Sequence, residues 1–213
     1  MSVDPHIVRA WLAARSISRG LPLPVDDHGG WRVDSGAPDE QRRYLFATAA
    51  EGLRELGREI KAPYIALKLC APGEALLAQL PARWRIGSDN WMMVWDEPAA
   101  AECQVPQGYR LSILAEGDRY RTVITDAAGF VAASGYAVEH DGVFIYDRIA
   151  TDPAHRRRGL GTLLIRALAA RCASAAARHV LTATPEGRAL YHAMGWRDYS
   201  PYATAIIPPG NHP

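Results

Sequence analysis

The stretch DPAHRRRGLGTLLIRALAARCASAAA, residues 152–177, decides how the rest of the chain is read. Three consecutive arginines, Arg156, Arg157 and Arg158, lead into Gly159-Leu160-Gly161-Thr162, and an almost uninterrupted helical segment follows directly. The first turn of a helix carries unpaired N–H groups and a partial positive charge, and glycine lets a phosphate come close to the backbone. The segment therefore reads as a cradle for a pyrophosphate, with a solvated arginine-rich helix entry as the alternative. No Gly-Lys-Ser/Thr follows, so it is not the P-loop pattern, and GxGxxG is absent, so it is not the dinucleotide fingerprint.

Working outward, the segments 109–115, 120–125, 130–139 and 143–151 read as strands. Glu116-Gly117-Asp118 and residues 126–129 separate the first three. Asp141-Gly142 joins the last two, because a tight hairpin wants positive φ at both central residues. Behind the helix come a strand over 180–183, a short helix over 186–193 stopped by Gly195-Trp196, and a last strand over 202–207. The order is ββββ-α-β-α-β, a mixed α/β architecture.

The spacing Arg-x-x-Gly-x-Gly at 156–161 resembles the acyl-CoA-binding motif of the GNAT-type N-acyltransferases. DRIATDPAHR, residues 147–156, is similar to that family's strand-to-loop segment, and EGRALYHAMGW, residues 186–196, to its second motif. Thr184 stands where many members carry Asn. The resemblance covers 109–207 and implies a mostly antiparallel mixed sheet flanked by helices. It implies that the backbone of Ile149, Ala150 and Thr151 pairs with the pantetheine arm of acetyl-CoA. It implies further that Arg156, Arg157, Arg158, Gly159, Leu160, Gly161 and Thr162 wrap the pyrophosphate. Tyr191 matches the tyrosine that protonates the departing thiolate; a core tyrosine is the alternative. An alkylamine of pKa about 10.4 is nearly all protonated at pH 7, so its proton must leave before it attacks a thioester. Asp147, on a strand face shared with Ile145 and Ile149, is the first candidate base, its pKa raised by apolar neighbours. A salt bridge to an arginine such as Arg148 is the other reading of Asp147, and Glu139 is the second candidate base. His140, His155 and His192 lie nearby and read as exposed loop or helix histidines.

The front of the chain is less specific. Asp4-Pro5 opens a helix ending near Gly20, and 21–42 reads as loop with at most a short strand over 31–34. A strand over 43–47, a helix over 49–60, a strand over 64–69, a helix over 73–80 and a strand over 91–95 follow. In that last strand Trp91, Met92, Met93 and Trp95 read as core rather than as the floor of an acceptor pocket. EPAAAECQVPQG, residues 97–108, has two prolines and no periodicity. The chain thus divides into an N-terminal αβ region (1–97), a linker (98–108) and a GNAT-like catalytic domain (109–213). ALLAQLPARWR at 75–85 echoes ALYHAMGWR at 189–197, so the front is either a degenerate half-repeat, with Leu77 in place of Tyr191, or a cover over the acceptor site.

Composition bounds the function. The 213 residues include 24 basic residues, all arginine except Lys61 and Lys68, against 23 acidic ones, for a net charge of +1. That balance argues against nucleic acid as a partner. Cys70, Cys103 and Cys172 lack metal-ligand spacing, so no metal site is expected, and their odd number suits a reducing cytoplasm. No membrane segment is expected. The sequence-based expectation is an acyl-CoA-dependent N-acyltransferase, transferring acetyl from acetyl-CoA to an amine in a ternary complex, as a monomer or homodimer. A non-catalytic acyl-CoA-binding protein is the alternative.

Overall fold

The computed structural model describes residues 3–96 and 104–209. Cys103 and most of the expected linker, 98–103, lie outside the described residues. The first half runs α1 (Pro5–Arg19), β1 (Val25–Asp27), β2 (Gly30–Asp34), β3 (Arg42–Phe46), α2 (Glu51–Glu59), β4 (Ile65–Leu69), α3 (Gly73–Leu77) and β5 (Arg85–Trp95). The second runs β6 (Tyr109–Glu116), β7 (Arg119–Asp126), β8 (Val131–His140), β9 (Val143–Thr151), a 3-10 turn (Pro153–His155), α4 (Leu160–Ala169), β10 (Arg178–Ala183), α5 (Pro185–Ala193) and β11 (Arg197–Ile206).

Among the described residues eleven strands share one sheet, in the order β1-β2-β3-β4-β11-β5-β10-β9-β8-β7-β6. Two contacts are parallel, β3 with β4 and β9 with β10, and each is bridged by a helix, α2 or α4. The other contacts are antiparallel. The sheet is therefore mixed and mostly antiparallel, as expected. From either edge it follows one plan: antiparallel strands, a helix-bridged parallel pair, then a strand delivered by the other half. β5 lies between β10 and β11, and β11 lies between β4 and β5.

Three boundaries differ from the sequence expectations for identifiable reasons. β5 begins at Arg85 rather than 91, because its polar first half, Ser88-Asp89-Asn90, pairs with β11 across the centre of the sheet. α4 ends at Ala169 instead of running to 177, since the Glu139 carboxylate accepts the N–H groups of Ala173 (2.7 Å) and Ser174 (3.0 Å) and draws the chain out of helix. The 21–42 segment holds a hairpin, β1 with β2, turned by His28 and Gly29, both at positive φ.

α1 is capped by the Asp4 side chain, which accepts from the His6 N–H at 2.9 Å, and ends at Gly20 in the left-handed conformation. Its apolar face, with Val8, Trp11 and Leu12, packs with Val138, Ile145, Met92 and Val94 on one side of the sheet. α4 and α5 cover the other side, where Phe144, Tyr146, Leu164, Met93, Trp95 and Trp196 form a second core. A third core fills the first half around Leu53, Leu67, Leu76 and Trp84. Met92, Met93 and Trp95 are thus core residues, as read from the sequence, while the half-buried Trp91 lies under the Arg188 guanidinium at 4.4 Å.

Candidate active site

β9 and β10 pair in register only from Val143 and Arg178 to Tyr146 and Leu181, although the strands continue to Thr151 and Ala183. Beyond Tyr146 they diverge. A bulge sits at that point: Tyr136 faces Asp147 and Ser134 faces Ala150, so β9 carries an extra residue, and Arg148 takes φ +53°. Gly135 lies opposite, where a Cβ would run into the Ile149 side chain and lie 3.0 Å from Leu164. The bulge breaks strand alternation. Ile149 turns to the α4 side while Ile145 stays with α1, which corrects the expectation that Asp147 shares a face with both. On its β10-facing edge the backbone of Ile149, Ala150 and Thr151 is left outside any strand ladder, while β8 holds the other edge.

The arginine loop begins where this open edge ends. Asp152 caps the 3-10 turn by accepting from Ala154 N at 2.9 Å, and Arg157 and Gly159, both at positive φ, turn the chain into α4. Leu160 anchors the helix in the core, whereas Arg156, Arg157, Arg158 and Gly159 are exposed. Two side chains hold the loop from β6 and β7. The Arg158 guanidinium donates to the Tyr109 hydroxyl (3.0 Å), which also bonds His155 (2.9 Å), and His155 lies 3.7 Å from Asp126. Sequence reading missed Tyr109 and Asp126, because their link to the loop spans tens of residues. A Cβ on Gly161 would stand 3.1 Å from Leu190 of α5 and 3.8 Å from the Thr151 hydroxyl. The end of β9, the start of α4 and α5 therefore meet at this glycine.

Tyr191 projects from α5 and is 7% exposed, with its ring edge-on to Trp196. Burial pushes its phenol up to about 12. Its hydroxyl has no hydrogen-bond partner among the described residues. At neutral pH such a phenol keeps its proton and can donate it but cannot act as a base. Thr184 caps the helix, accepting from Gly187 N at 3.2 Å.

Asp147 is 8% exposed and heavily paired. Arg19 donates to both carboxylate oxygens at 2.8 Å, Ser18 donates at 3.2 Å, and Arg148 and Arg15 lie at 3.5 and 3.8 Å. Burial alone would raise its pKa, but the Arg19 hydrogen bonds and the charges of Arg15, Arg19 and Arg148 hold the carboxyl below its ordinary value. The upward shift expected from apolar neighbours is thus corrected: α1 brings two arginines that no local pattern announces. Glu139 pairs with Phe144, about 10 Å along β9 from where the strands part. It lines a cleft with Ile17, Gly117, Asp118, Tyr120 and His140, away from Tyr191 and the loop. His192 bonds the Trp196 carbonyl at 3.1 Å and Asp198 at 3.3 Å. Among the described residues no group of His, Cys, Asp and Glu is arranged to hold a metal ion, and no helix is long and apolar enough to cross a membrane.

Residues 113–198 match the family model described as the acetyltransferase (GNAT) domain. That stretch is where the chain is similar to the GNAT acetyltransferases. It spans the diverging strands, the arginine loop and Tyr191. A GCN5-related N-acetyltransferase from Kribbella flavida shares the fold with a TM-score of 0.67 at 17% identity, over 99% of this chain and 97% of its own. A putative GNAT-family acetyltransferase from Novosphingobium aromaticivorans gives 0.57 at 18% identity, over 95% and 97%. A tandem GNAT protein from the clavulanic acid biosynthesis pathway gives 0.58 at 18% identity, over 85% and 80%. At these identities the likeness is one of fold, and it extends beyond that stretch into the first half of the chain. No curated protein matches the chain in sequence.

Proposed function

We propose that the chain is an acyl-CoA-dependent N-acyltransferase that moves an acetyl group from acetyl-CoA to an amine by direct attack in a ternary complex. The observation that carries this reading is the divergence of β9 from β10, with the glycine loop at one end and Tyr191 beside it. The residues present fit the ligand. The open edge at Ile149, Ala150 and Thr151 offers backbone groups to the pantetheine amides, and Gly161 leaves no Cβ between Leu190 and Thr151. The first-turn N–H groups of α4 and the exposed Arg156, Arg157 and Arg158 receive the pyrophosphate.

In this reading the amine nitrogen bonds to the thioester carbonyl carbon, the carbon–sulfur bond breaks, and the Tyr191 phenol gives its proton to the sulfur. Asp147 acts as a positioning residue: its ion pairs tie the bulge of β9 to the end of α1, and a carboxylate held low by three arginines is a poor base. Glu139 spends both oxygens on Ala173 and Ser174 and positions the loop before β10. The amine then loses its proton to water, and the rate follows the neutral fraction of the amine. A reducing compartment such as the cytoplasm suits the free thiols of Cys70 and Cys172. The test is a thiol-release assay with acetyl-CoA over a panel of amines, beside a binding titration. The reading predicts both binding and release; binding without release from any amine would leave a protein that only holds acyl-CoA.

A further inference from the structure

On the α1 side of the sheet, near the C-terminal end of α1, polar side chains from the two halves gather. Four cations, Arg15, Arg19, Arg43 and Lys68, meet two carboxylates there, Asp147 and Glu40. Glu40 is shared by Arg43 (2.6 Å) and Lys68 (3.0 Å), and Lys68 also bonds Thr204 at 3.3 Å. Asp147 is taken by Arg19. Positive charge is in surplus in a region where charge is costly unless paired. Burial lowers the Lys68 ammonium to about 8, so its two contacts do not compensate for lost water.

Three polar atoms of this cluster are shut off from solvent with no hydrogen-bond partner among the described residues: Nε of Arg15, Nε of Arg43 and the hydroxyl of Tyr202. Tyr202 is 2% exposed and Arg43 6%, so these are unmet donors on fixed side chains, not surface groups. They are neighbours. The Arg15 guanidinium lies over Trp11 at 5.2 Å, Trp11 meets the Tyr202 ring at 5.4 Å, and the charges of Arg15 and Arg43 both act on the Tyr202 hydroxyl. Arg15 also lies 3.8 Å from Asp147, the residue at which β9 leaves β10. Arg15 thus links this cluster to the inner end of the proposed acyl-CoA site.

We propose that the amine acceptor carries a carboxylate and that Arg15, Arg43 and Tyr202 receive it, which makes the acceptor an amino acid or a similar amine bearing an acidic group. Guanidinium and phenol donors match a planar carboxylate, and an anion placed among them satisfies the buried donors and balances the surplus charge. The amino group of such a ligand then faces the point where the strands diverge. This inference rests on the acyl-transfer reading for the reaction but not for the binding, and the two are separable.

The experiment uses the full chain and a panel of matched amines: free amino acids, their carboxamides and the corresponding decarboxylated amines. Melting temperature and thiol release from acetyl-CoA are recorded for each. The proposal expects carboxylate members to raise the melting temperature and to be acetylated with kcat/KM at least about tenfold above their carboxamides, the scale of a lost charged hydrogen bond. Arg43→Gln should abolish that preference. Because Arg43→Gln also disturbs Glu40 and Lys68, Tyr202→Phe provides the second variant. It should raise KM for the carboxylate acceptor with kcat little changed, whereas a purely structural hydroxyl would leave KM alone. Equal binding and turnover of carboxylates and carboxamides would overturn the proposal. Stabilisation by carboxylates without any thiol release would uphold the anion site and sink acyl transfer.

Discussion

Tyr191 and Asp147 were both legible as residues of interest in the sequence, and the structure separates their chemistry. The ALYHAMGW pattern points to Tyr191, and burial keeps its phenol protonated at neutral pH, with a pKa of about 12. Replacing Tyr191 with Phe should lower kcat by about tenfold or more with little change in acetyl-CoA affinity, the range of a lost general acid; an unchanged kcat would remove it from the reaction. Asp147 was visible as an acid on the right strand, but its partners Arg15 and Arg19 are more than a hundred residues away, which is why its pKa was expected on the wrong side. Asp147→Asn should cost about 2 kcal/mol of stability, since it leaves the partly buried Arg15 and Arg19 without their carboxylate, and should leave the pH dependence of kcat/KM rising toward the pKa of the amine. A displaced pH profile would restore Asp147 as the base. The depressed carboxyl also fixes a sign. Its contribution to stability is complete above the ordinary carboxylate pKa near 4 and is lost as pH falls through its lower native value, so thermal melts below pH 4 should lose more stability in the wild type than in Asp147→Asn, where only the other paired carboxylates titrate.

At the scale of elements, β6 to β9 follow from turn signals and alternation, because their pairings with one another are hairpin-like. The bulge at Arg148 did not follow: nothing in DRIAT marks an extra residue, and only Gly135 on the facing strand, with no room for a side chain, reveals it. The two parallel pairs differ at the place where the proposal puts acyl-CoA. β9 and β10 separate after Tyr146, but β3 and β4 stay paired over their full length, from Arg42 with Ile65 to Phe46 with Leu69. The entry to α2 is filled as well, since a Cβ on Gly52 would collide with the backbone of His28. Gly52→Ala should therefore lower the melting temperature while leaving acetyl-CoA affinity unchanged; weakened acetyl-CoA binding at constant stability would place a ligand in the first half.

Across the whole molecule, the echo between 75–85 and 189–197 was the one trace in sequence of a sheet whose halves mirror each other. What the echo did not show is the exchange of last strands, because β5 and β11 find their places through pairings over about a hundred residues. The exchange argues that the two halves fold together. Expressed alone, residues 109–213 would lack the strand between β10 and β11 and would leave Met93 and Trp95 missing from the core of α4 and α5. That fragment should give no cooperative thermal transition, and a cooperative melt would show that the second half is self-sufficient. The central claim, that the diverging strands and the glycine loop hold acyl-CoA, is tested most directly by calorimetric titration of acetyl-CoA into the full chain and into Gly161→Val. The account predicts saturable binding of one molecule per chain, weakened at least about tenfold in the variant, where a side chain would press on Leu190 and Thr151. No binding to the wild type, or equal affinity in the two proteins, would contradict it.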